Sequence, residues 1–186
     1  MSDAPLSAEA AAKQLLGLSG LDAMRLLIAG KHPPPSIATT LGFTLAEVDV
    51  GRALFLGNPS DRILNPLGIV HGGWALTLID SCCGCAAHTT LAAGTGYTTV
   101  ETKVNFVRAI TPETGEVRAE GKVVARGRTI ITTEGTLTDS SDRAGSTCIW
   151  TSPPGRKDHR CRWGTSRWCC TGGGRSGRRC GHEGRR

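Results

Sequence analysis

Aromatic residues are scarce in this chain, at 4% of 186 residues, with four Trp, three Phe and one Tyr. At 39% hydrophobic and 20% charged the composition still suits an ordinary globular core, which must then be filled mainly by Leu, Ile, Val and Ala. Long apolar runs are missing as well. No stretch approaches the roughly eighteen uncharged apolar residues of a membrane span, so no membrane partner is expected. The N-terminus lacks the basic n-region and apolar run of a secretory signal, and Asp3 and Glu9 stand there instead. A cytoplasmic location follows as the expectation. Cys82, Cys83, Cys85 and Cys148, all in apolar contexts, are then expected to be reduced and buried.

Acids are missing from one region only. Residues 151–186 hold ten of the 22 Lys and Arg but two of the 16 acids, Asp158 and Glu183. Of the formal +6, the tail therefore carries +8 and residues 1–150 carry −2. The body is mildly acidic, and the basicity that would suggest a nucleic-acid partner belongs to the tail alone. No nucleic acid is expected to bind the body.

Three regions are expected: an N-terminal helical segment over 1–35, a main domain over 36–150, and the tail over 151–186. Residues 7–30 read as helical, with Ser7 as cap, apolar residues at helical spacing from Leu15 to Ile28, and a break at Gly17–Gly20. Pro33, Pro34 and Pro35 end the helix because consecutive prolines cannot donate its backbone bonds. Strands are expected near 41–49 and 52–57, joined at Asp49-Val50-Gly51, and a loop over 58–70. Residues 72–88 are small or apolar almost all round, which predicts a helix buried on every face. Segments rich in Val, Ile and Thr at 97–108, 115–125, 129–138 and 144–150 predict an antiparallel meander. A sheet wrapped around one central buried helix satisfies this order, an α+β fold.

The string Asn65-Pro66-Leu67-Gly68-Ile69-Val70-His71-Gly72-Gly73, with Asp80 beyond it, carries the chemistry. Gly72 and Gly73 open the helix, where backbone N–H groups lack intrahelical partners and the macrodipole adds positive charge. Such a terminus can stabilise an oxyanion, or the glycines can serve tight packing alone. Asp80 places a carboxylate in an apolar helix, where it needs a partner or a task. Local hydrogen bonds would satisfy it; base chemistry would use it. At 1.5 Å rise per residue Gly72 and Asp80 lie about 12 Å apart, too far to touch one reacting carbonyl. If both act, they act from different subunits.

Together these motifs resemble the PaaI-type thioesterases of the hotdog fold over residues 20–150. The resemblance includes Gly20-Leu21-Asp22, the Pro33–Pro35 run, Leu41-Gly42-Phe43, and the Asn65 to Asp80 string. It continues through Gly94-Thr95-Gly96-Tyr97-Thr98-Thr99-Val100-Glu101, Val104-Asn105-Phe106-Val107-Arg108, Gly121-Lys122-Val123-Val124 and Gly127-Arg128. It implies hydrolysis of an acyl-CoA by a homodimer or homotetramer with neither metal nor other cofactor. By that resemblance the Gly72 N–H polarises the thioester carbonyl, and Asp80 of the other subunit is general base or nucleophile. Asn65 and His71 would orient thioester or water, although a His beside a helix start also serves as a cap. Thr99 would lie beside the acid. Gly73 and Trp74 would contact substrate, and Arg126-Gly127-Arg128 would meet CoA phosphates or form a solvated turn. The Cys82, Cys83 and Cys85 group reads as packing rather than as a metal site.

The tail departs from the family. The last strand is expected to close near Trp150, two or three residues short. Beyond it Arg, Gly, Cys and Trp dominate without period, a composition that GC-rich DNA gives when read out of frame. A disordered basic tail, or a metal or RNA module using Cys161, Cys169, Cys170, Cys180 and His182, are the alternatives. A noncatalytic acyl-CoA-binding protein is the main competing function. A dehydratase would need a His and Asp pair that is not found.

Overall fold

The computed structural model describes residues 8–152 and 154–156. The N-terminal segment forms two helices, α1 (Ala8–Leu16) and α2 (Gly20–Ile28), separated at the expected glycines. Ser19 caps α2 by accepting the Asp22 N–H at 3.2 Å. Ser7 lies outside the described residues. After the prolines comes a short helix, α3 (Ser36–Leu41), where a strand from residue 41 was expected. α2 ends ahead of the prolines expected to stop it, at Gly30 (φ +65°), where the Lys31 N–H donates to Leu26 O at 3.1 Å, and Pro35 takes the N-cap position of α3. β1 (Phe43–Asp49) and β2 (Arg52–Gly57) form the expected hairpin, with Gly51 at φ +73° in its turn.

The central helix α4 runs Gly72–His88, the span read from the sequence. It is followed by β3 (Thr95–Tyr97), β4 (Glu101–Phe106), β5 (Val117–Arg126), β6 (Ile131–Asp139), β7 (Ala144–Ser152) and β8 (Pro154–Arg156). The segment expected as one strand over 97–108 is thus split, with residues 98–100 irregular between β3 and β4. Six strands form one antiparallel sheet in the order β1-β2-β5-β6-β7-β4. The expected meander holds for β5, β6 and β7, but β4 crosses to the far edge and pairs with β7. Register shifts in β1, β5 and β7 are the irregularities that let such a sheet bend around a helix.

α4 lies across β2, β5 and β6. Inward positions of β5 and β6 alternate with outward ones: Val117, Ala119 and Gly121, then Ile131, Thr133, Gly135 and Leu137. Gly121 and Gly135 set how close the helix sits. A Cβ on Gly121 would collide with the Cys82 carbonyl, and one on Gly135 would come within 2.7 Å of Cys83 Sγ. Cys82, Cys83, Ala86 and Ala87 supply the matching small faces of α4 and are fully buried. Burial is not complete on every face, however. Leu76 is 37% exposed, and Thr77, Asp80 and Ser81 are half-buried, so one stripe of α4 opens outward.

The last strand is not short. β7 continues to Ser152, which is fully buried and pairs with Ile131, and Pro154–Arg156 then pair with Thr95–Tyr97. Residues 157–186, including the Cys and His of the proposed tail module, lie outside the described residues. A chain ending at Arg156 is expected to keep the thermal midpoint and activity of the full chain. One ending at Trp150 loses the Thr151 and Ser152 rungs and should unfold at lower temperature, which differential scanning calorimetry would show.

Candidate active site at the start and middle of the central helix

The loop before α4 is tied down by its own backbone. Leu64 bridges Val70, the His71 N–H donates to Ile63 O at 2.8 Å, and the Val70 N–H donates to Ile110 O at 2.9 Å. Asn65 folds this loop: its Oδ1 accepts from the N–H groups of Leu67 (2.9 Å) and Ile69 (3.4 Å). His71 is the N-cap, with Nδ1 accepting the Gly73 N–H at 2.9 Å. The capping role therefore accounts for both His71 and Gly73. Gly72 is left with an N–H that donates to no acceptor among the described residues. It lines a cavity of about 340 Å³ together with Asn65, Ala75, Phe106, Arg108 and Ser146.

Asp80 lies two turns along the helix, in different surroundings. Its Oδ1 accepts three hydrogen bonds: from Trp150 Nε1–H at 2.8 Å, Thr99 Oγ1–H at 3.0 Å and Thr102 Oγ1–H at 3.4 Å. Oδ2 receives none from the described residues. Neighbouring acidic groups stay protonated. Burial, then the charge of Asp80, pushes the Cys85 thiol up to about 12. Burial, then Cys85 and Asp80, holds the Tyr97 phenol well above its ordinary value. Asp80 thus has one oxygen satisfied and one open, which suits a base or a nucleophile.

The structure brings Thr99 to Asp80 as expected. It gathers Asn65, His71, Gly72 and Gly73 at the helix start, and Asp80 does not line the cavity there. Trp74 is a correction. Its ring is 3% exposed in the core and its N–H is bonded to Leu41 O at 2.8 Å, so it offers no face to a substrate. Arg126, Gly127 and Arg128 are exposed at the β5–β6 turn and do not line the cavity at Gly72. Cys82, Cys83 and Cys148 are buried free thiols, Cys83 Sγ lying 3.6 Å from Cys148 Sγ, and Cys85 is half-buried.

Sequence reasoning missed Trp150 and Thr102. A signal for the first was available, since a Trp at an inward position of a strand needs an acceptor for its N–H, and Asp80 is the sole carboxylate of α4. Thr102 follows from register alone, as the partner of Trp150 across the β4–β7 ladder.

Residues 67–146 match the family model of the thioesterase superfamily. The chain has the hotdog fold. The fold is shared with a phenylacetic acid degradation-related protein of Ralstonia eutropha JMP134, at 26% identity and TM-score 0.64, covering 70% of this chain and 98% of that one. It is also shared with the PaaI protein of the E. coli phenylacetic acid degradation operon, at 17% identity and TM-score 0.63, covering 73% and 95%. A Streptococcus mutans UA159 protein bound to acetyl-CoA matches at 22% identity and TM-score 0.57, covering 62% and 90%. No curated protein matches the sequence. In this hotdog protein no helix among the described residues is long and apolar enough to cross a membrane.

Proposed function

We propose that the protein hydrolyses an acyl-CoA thioester to the free acid and CoA. The observation that carries this reading is Asp80, a carboxylate with one bonded and one open oxygen on the central helix of a thioesterase-superfamily fold. The uncommitted Gly72 N–H would polarise the thioester carbonyl at the helix terminus, where the developing oxyanion is favoured. Asp80 of a second copy would take a proton from water as the oxygen attacks the carbonyl carbon. Collapse of the tetrahedral intermediate then breaks the C–S bond, and the proton passes to the departing thiolate. In the nucleophilic variant Asp80 attacks first and the C–S bond breaks to release the CoA thiolate, and water then cleaves the mixed anhydride to the free acid and the Asp80 carboxylate, its proton passing to the thiolate.

A homodimer or homotetramer would bring the two halves together. The open stripe of α4 and the edge position of β4 support such an assembly. Exposed Arg126 and Arg128 would contact CoA phosphates beside Gly127, and the acetyl-CoA bound by the S. mutans neighbour supports a CoA thioester as ligand. The free thiols of Cys82, Cys83, Cys85 and Cys148 suit a reducing cytoplasm.

A second reading, acyl-CoA binding without turnover, draws support from Asn65 Oδ1 and His71 Nδ1, which serve the loop and the cap. Thiol release from a panel of straight-chain and aryl acyl-CoAs separates the two. Hydrolysis of at least one with kcat/KM of about 10⁴ M⁻¹s⁻¹ or more is expected. Saturable binding without release would favour the second reading.

A further inference from the structure

Asp80 receives an unequal set of donors, and Trp150 is the rigid member of that set. The Trp150 ring is fully buried and its one polar atom, Nε1, donates to Asp80 Oδ1 at 2.8 Å. Tyr97 packs edge-on against it, with ring centroids 5.7 Å apart and planes at 68°. Thr102 is its direct cross-strand partner, so two of the three donors come from one rung of the β4–β7 ladder. A free carboxylate can rotate and present either oxygen. Here an indole without room to move holds one oxygen, Thr99 and Thr102 reinforce the same atom, and Oδ2 faces no donor from the described residues.

We propose that Trp150 is a positioning residue for the reaction: its N–H pins Asp80 Oδ1 and presents Oδ2 as the oxygen that meets water or the acyl carbon. The proposal rests on the reading of Asp80 as base or nucleophile. Without the indole N–H the carboxylate turns toward Thr99 and Thr102 in more than one way, and the reactive oxygen is misplaced. Substrate contacts at the Gly72 cavity are untouched, since Trp150 does not line it. Loss should therefore fall on kcat and spare KM.

The test uses the full chain. Trp150→Phe removes the N–H but leaves a smaller ring, so the cleaner variant is Trp150→benzothienylalanine, which exchanges the N–H for sulfur in a ring of the same shape. With the fastest thioester of the acyl-CoA panel, kcat should fall about tenfold to a hundredfold, as expected for a lost bond to a charged group, with KM within about twofold. The thermal midpoint should stay near that of the wild type. In ¹⁵N-labelled protein the Trp150 indole resonance, assigned through Trp150→Phe, should move when Asp80→Asn removes its anionic acceptor. Normal turnover in the isosteric variant, with Asp80→Asn inactive, overturns the positioning role while the reading of Asp80 stands. An indole resonance unmoved by Asp80→Asn overturns it as well. Wild-type turnover in both variants sinks the reading of Asp80 and the proposal with it.

Discussion

Asp80→Asn should lower thioester turnover by about 10²-fold or more while the fold survives. The substitution keeps the shape of the side chain and leaves an oxygen to accept from Trp150, Thr99 and Thr102. It removes the charge and the basic lone pair. A half-buried anion in an apolar helix costs desolvation energy, so the variant should melt no lower than the wild type. The pairing of lost turnover with retained stability marks a residue kept for chemistry. Near-normal turnover would take Asp80 out of the mechanism.

Gly72→Val and Asp80→Asn should each be inactive alone and should rescue one another when unfolded and refolded together. The structure supports two disjoint half-sites: Gly72 lines the cavity with Asn65 and Phe106, whereas Asp80 is ringed by Thr99, Thr102 and Trp150. At Gly72 a Cβ would meet Phe106 at 3.2 Å, and that ring is 57% exposed and free to swing, so Val blocks the helix terminus without breaking the core. In a mixed dimer one site carries both lesions and the other carries neither. Random assembly makes about half the dimers mixed, so activity should return to about a quarter of wild type, given residual rates of at most about 10⁻² in the singles. Native mass spectrometry would count the mixed species. If they form and no activity returns, the two residues do not serve one shared site.

Much of this was legible in the sequence, because the decisive features are local. Gly72-Gly73 followed by a run that is small or apolar apart from Asp80 and His88 marks α4, and Gly51 marks the first hairpin. Asp80 stood out as an unexplained charge in that helix. The misreadings arose where distant partners decide the outcome. Residues 98–100 leave the strand because β3 pairs with β8 while β4 pairs with β7, two different ladders that the segment's own composition does not announce. Trp74 looked available beside Gly73, yet the acceptor of its N–H is the carbonyl of Leu41, 33 residues away. Asn65 and His71 have the right chemistry for a site, but whether a polar atom faces a ligand or its own loop is set by backbone geometry.

The separation of Asp80 from Trp150, 70 residues along the chain, also bears on the order in which the protein can be made. As the chain leaves the ribosome, α4 emerges early with its carboxylate, and Thr99 and Thr102 follow within 22 residues. The indole arrives only with the last strand of the main sheet, and the β3–β8 pairing before Thr99 waits for residue 156. Contacts of such long range close late, because loop entropy must be overcome before they gain anything. Chains released before Trp150 can therefore collapse around the helix without the indole that holds its aspartate in place, which makes interrupted synthesis a source of collapsed but idle protein.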